Sequence, residues 1–129
     1  MRIEDYFAEI QKAVGQSPIV RLTNVTYEKR GTHEGIIRGR VDFVDSTVLE
    51  WREYVDVETE VDCLMYVYQY MDSSMKLIFR YDNTGHHRKL VIPTYPHHKH
   101  LGRDENVVPS EPMDLTAVLQ EIESMVELP

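Results

Sequence analysis

The chain has 129 residues, of which 42% are hydrophobic and 28% charged, with a formal net charge of −8. That length fits one domain and that composition can bury a core, which excludes a disordered chain, and no apolar run approaches the roughly 20 residues that span a bilayer. The acidic balance excludes a protein that simply coats nucleic acid. The opening MRIEDYFAEIQKAV carries acids where a signal peptide would carry bases, and the single Cys63 has no internal disulfide partner, so the expected compartment is the cytoplasm.

Ile3, Tyr6, Phe7, Ile10 and Val14 recur at helical spacing, which predicts an amphipathic helix over 2–14 that Gly15 and Pro18 stop. From Ile19 the period becomes two, with strands expected near 19–29, 35–45, 47–57, 61–71 and 75–82. The breaks between them are short, as at Asp45-Ser46 and Asp72-Ser73-Ser74. Short connections favour hairpins, because parallel neighbours need crossovers of a dozen or more residues. A His- and Pro-rich loop is expected over 83–110, followed by a helix over 114–127 with Asp114 as N-cap and Met113 and Val118 as a hydrophobic staple. The fold class is therefore α+β. One domain over residues 1–129 holds an antiparallel meander of about five strands, with both helices packed on one sheet face.

Alternation assigns the faces. Ile37, Gly39, Val41 and Phe43 oppose Arg38, Arg40 and Asp42, and Leu49, Trp51 and Val55 oppose Glu50, Arg52 and Tyr54. A solvated face with cross-strand ion pairs accounts for Arg38, Arg40, Glu50 and Arg52 taken alone. Tyr66, Tyr68 and Tyr70 oppose Cys63, Met65 and Val67 on a strand expected to be central and buried on both sides, with Cys63 a small buried hydrophobe.

Charge and histidine coincide in one place. Residues 1–75 carry −6, residues 76–103 carry +5 and residues 104–129 carry −7, and the basic stretch holds five of the six histidines. Arg80 and Asp82 share a face at the end of the last expected strand, and then come His86 and His87. Pro93 and Pro96 push the residues before them to extended geometry, which sets His98 and His100 on one side and His97 and Lys99 on the other. A lone histidine is usually structural; five within 15 residues point to chemistry.

The strings Arg80-Tyr81-Asp82-Asn83, His86-His87, Pro96-His97-His98-Lys99-His100 and Val107-Val108-Pro109-Ser110 resemble the TumE family, small prokaryotic toxins of toxin–antitoxin pairs. The resemblance is close over the central third of the chain and holds in outline elsewhere. It implies an operon partner, a helix-turn-helix antitoxin, with RNA cleavage as the activity, and it leaves room for a homodimer; the lack of a long apolar run separately predicts no membrane role. No cofactor is implied.

Metal-independent phosphodiester cleavage needs a base near the 2′-hydroxyl, an acid near the leaving 5′-oxygen and cations for the developing charge. Two of His86, His87, His98 and His100 fit the proton roles, Arg80 the phosphate, and Lys99 or Arg88 an added point charge, while Asp82 orients an imidazole or Arg80. Arg88, Lys89, Tyr95, His97, Lys99 and Arg103 are the candidates for holding RNA. Two other classes stay open. His98 and His100, with His86 or His87 and Asp82, could take zinc or nickel, or the loop could serve only to contact a protein partner.

Overall fold

The computed structural model describes residues 1–83, 96–103 and 106–127. Helix α1 (Ile3–Gln16) buries Ile3, Tyr6, Ile10 and Val14, the stripe its spacing predicts. Five long strands follow: β1 (Val20–Lys29), β2 (Glu34–Phe43), β3 (Val48–Asp56), β4 (Asp62–Met71) and β5 (Leu77–Asp82). Two short ones complete the sheet, β6 (His98–Leu101) and β7 (Val107–Pro109), before helix α2 (Leu115–Glu123). The Asp114 side chain caps α2 by accepting from the Ala117 N–H at 2.8 Å.

The sheet is an antiparallel meander in the order β1-β2-β3-β4-β5-β6-β7. The expectation of about five strands is corrected to seven, because His98–Leu101 and Val107–Pro109 lie within the stretch read as loop. Strands of four and three residues give too few alternations to stand out, and β6 buries histidines where a pattern search looks for apolar side chains. Gly102 follows β6 with φ +72, a conformation that glycine adopts without penalty, and its N–H donates to the Ile78 carbonyl at 3.0 Å. That bond ties the end of β6 to β5.

The core lies on one face of the sheet. Ile37, Val41, Phe43, Leu49, Trp51, Val55, Tyr66, Tyr68, Tyr70, Phe79 and Tyr81 are buried there with the apolar stripes of both helices. Gly39 makes room for the Trp51 ring, since a Cβ at 39 would overlap the indole. The Tyr6 hydroxyl of α1 donates to the buried Glu53, and the Tyr81 hydroxyl donates to Glu121 of α2, so both helices sit on this face. Strand β4 is buried along its tyrosine side, whereas on the other side Met65, Val67 and Gln69 are half-buried and burial is reached at Met71, so the expectation of a strand buried on both sides is corrected to burial on both sides at that end alone. No helix of the described residues is long and apolar enough to cross a membrane.

Candidate active site

Directly opposed residues of antiparallel strands project from the same side of a sheet. The pairings therefore draw two rows across the face turned away from the helices. One runs Arg40, Glu50, Gln69, Arg80 and His100. Its neighbour runs Arg38, Arg52, Val67, Asp82 and His98. Tyr81 and Lys99 oppose each other between the two rows and point to the helix side.

The two rows end in a cluster. Asp82 is 1% exposed, His98 1% and His100 0%. His98 Nε2 lies 2.6 Å from Asp82 Oδ1, and His100 Nε2 lies 3.3 Å from Oδ2. Arg80 Nε lies 3.3 Å from the same Oδ2, and its Nη2 is 3.3 Å from His100 Nε2. Its Nη1 donates to Gln69 Oε1 at 3.5 Å. The two imidazole rings meet edge to face with centroids 4.9 Å apart. A buried carboxylate is costly unless charges and donors surround it, and Asp82 has a guanidinium and two imidazoles.

Donors and acceptors constrain where the protons sit. His98 Nδ1 lies 2.9 Å from the Pro96 carbonyl, which can only accept, so Nδ1 carries a hydrogen. Nε2 of the same ring faces the Asp82 carboxylate at 2.6 Å. His100 Nε2 faces a guanidinium that can only donate and a carboxylate, so it can accept from Arg80 or donate to Asp82. The His98 ring is thus fixed by a carbonyl and a carboxylate, and His100 Nε2 by a guanidinium and the same carboxylate.

The remaining expected residues separate. His97 leaves the face of the trio. Its Nδ1 sits 2.7 Å from the Tyr66 hydroxyl and its ring stacks on Tyr66, while burial and the neighbouring His98 hold its pKa below the usual value. Burial pushes the Tyr66 hydroxyl up to about 12. Lys99 turns to the helix side, 3.3 Å from Glu121 and 4.6 Å from the Tyr81 ring centroid. Arg103 borders a small cleft on the open face with Gln69, Met71, Met75 and Leu77. His86, His87, Arg88, Lys89 and Tyr95 lie outside the described residues.

Gln69 was not among the expected site residues. It belongs to the site because the β4–β5 register opposes it to Arg80, and that register is not readable from alternation. Asp82, His98 and His100 each offer a ligand atom within 4.8 Å of the others, a donor set suited to a transition metal. Arg80 sets positive charge 3.3 Å from two corners of that triangle, Asp82 and His100.

The family model described as "Toxin TumE" matches residues 10–127 of the chain. No curated protein and no solved structure matches.

Proposed function

The chain belongs to the TumE toxin family, and from that premise we propose that it is a ribonuclease toxin that cleaves RNA by histidine acid–base chemistry without a metal. The observation that carries the reading is the group formed by Asp82, His98, His100 and Arg80, with two imidazoles against one carboxylate and one guanidinium. His100 takes the proton of a 2′-hydroxyl, whose oxygen attacks phosphorus. His98, fixed between Pro96 and Asp82, gives a proton to the 5′-oxygen as that bond breaks. The products are a 2′,3′-cyclic phosphate and a free 5′-hydroxyl. Arg80 offsets the charge that builds on the phosphate oxygens.

Arg80 has a side chain 19% exposed and meets a phosphate first, whereas the two imidazoles are fully buried. A local opening therefore precedes chemistry in this scheme. The test is cleavage of RNA by purified protein in the presence of a chelator, with His98→Ala and His100→Ala beside it. Each variant is expected to lose about 100-fold or more, the usual worth of a general acid or base. Full cleavage by both variants would sink the assignment.

A metal centre is the second reading, favoured by the convergence of three ligand atoms and by the carbonyl that fixes His98 Nδ1. It is the weaker one, because the Arg80 guanidinium stands 3.3 Å from both Asp82 and His100 and would oppose a bound cation. Stoichiometric metal surviving dialysis against chelator would reverse that order. Membership of a toxin family implies an antitoxin partner. The proposal takes it to be a helix-turn-helix protein, and the adjacent gene tests this.

A further inference from the structure

The open face continues beyond the trio. A cleft of about 470 Å³ lies over β2, β3 and the middle of β4, lined among others by Asn24, Arg38, Arg40, Glu50, Arg52 and Gln69. Its lining holds three arginines and one acid. Arg40 bonds Asp42 at 3.1 Å and stands 3.8 Å from Glu50. Arg38 reaches Glu28 only at 4.0 Å, and Arg52 has no ion pair among the described residues.

Arg38 and Arg52 are direct partners across β2 and β3. Like charges placed opposite each other on an antiparallel pair destabilise it, so stability alone argues against this arrangement. An anion between the two guanidinium groups removes the penalty and uses their planar donor forks. The same two rows lead from these arginines through Gln69 and Val67 to Arg80, Asp82 and the two histidines.

We propose that this cleft holds the single-stranded RNA flanking the scissile phosphate, with Arg38 and Arg52 clamping one backbone phosphate. The proposal rests on the ribonuclease reading for its choice of ligand. Strands β2 and β5 are three spacings apart, about 14 Å at roughly 4.8 Å each. A phosphate at Arg38 and a scissile phosphate at Arg80 thus belong to different nucleotides of one strand. A single strand fits because in-line attack by a 2′-hydroxyl needs a sugar free to turn, which a duplex restrains. The cleft also explains how a chain of net charge −8 can hold RNA, since three arginines meet a single acid in its lining.

The experiment measures binding of the full chain to a fluorescein-labelled 2′-O-methyl oligoribonucleotide, which cannot be cleaved through its 2′-oxygen, across a salt series. Arg38→Gln and Arg52→Gln are each expected to weaken binding several-fold. The double variant should also flatten the slope of log affinity against log salt by about 0.7, the value for one lost phosphate contact on a single strand, and each single variant by part of that. Arg21→Gln, on β1 outside the cleft, should leave the slope as it is. Thermal unfolding confirms that the exposed variants fold. Unchanged slopes in both cleft variants would overturn the groove, and cleavage of ordinary RNA by the same preparations would then leave the ribonuclease reading standing. Flattened slopes with no cleavage by the unaltered chain would keep the groove and remove the reaction. Variants that lose antitoxin affinity while RNA affinity and slope hold would overturn the RNA assignment.

Discussion

Asp82→Asn tests the central geometry most directly, because it preserves shape and removes one charge. In the folded chain Asp82 neutralises Arg80 and faces both imidazoles from a position 1% exposed. An asparagine can present its carbonyl oxygen to His98, but its amide then points at Arg80, donor against donor. Breaking a buried pair by removing one partner costs about 3 to 5 kcal/mol, since the other charge is left uncompensated. Arg80 keeps Gln69 and has a side chain 19% exposed, so solvent screens part of that cost and the lower end applies, about 3 kcal/mol. For a domain of this size 1 kcal/mol moves Tm by roughly 3 to 5 °C, so the variant should melt about 10 °C lower. Circular dichroism melts of Asp82→Asn, Arg80→Gln and the double variant give the coupling, and the double variant should recover part of the loss. Running the melts with and without chelator separates the ion pair from a metal centre, for which the loss would vanish when chelator is present in every sample. A single variant within 0.5 kcal/mol of the unaltered chain, with no recovery in the double, would refute the reasoning.

Two further outcomes concern the helix side of the sheet. Burial raises the pKa of Glu53, which means the folded chain favours its neutral form. The stability it contributes is present below the ordinary carboxylate range and lost as pH climbs through the raised value. Glu53→Gln keeps an acceptor for the Tyr6 hydroxyl and removes this titration. Its Tm should therefore gain on the unaltered chain as pH rises above the ordinary carboxylate range, and parallel curves would contradict the burial argument. Gly39→Ala drives a methyl into the Trp51 ring, an overpacking expected to cost about 1 to 3 kcal/mol. Trp51 is the single tryptophan, so its fluorescence should shift as the ring moves, and an unchanged spectrum and melt would mean that the ring does not rest on Gly39.

What could be read from the sequence follows from alternation, and what could not follows from register. Parity alone puts Arg80 with Asp82 and His98 with His100, and the proline rule predicts the extended geometry that becomes β6. Parity cannot say that Asp82 opposes His98 or that Gln69 opposes Arg80, because pairing depends on turn lengths and bulges. The shift between Tyr70 and Met71 is one such bulge. The Arg38–Arg52 opposition was hidden for the same reason, and an ion-paired solvated face was the natural expectation for those residues. Cys63 was expected as a buried hydrophobe. It is half-buried, with burial raising its thiol pKa and its S–H 3.3 Å from the Met65 carbonyl, a position of low reactivity.

Lys99 shows how the two sides of the sheet depend on each other. It was expected to supply charge to the phosphate, yet it spans Glu121 and the rings of Phe79 and Tyr81 on the helix side. A slip of β6 by one residue would carry Lys99 to the open face and bury His98 and His100 against the apolar core. The slip would strip Glu121 of its cation and break the bond from Gly102 to Ile78 that ends the strand. Lys99 therefore acts on the site through register: by holding its own side chain under α2, it keeps the histidines on either side of it facing Asp82.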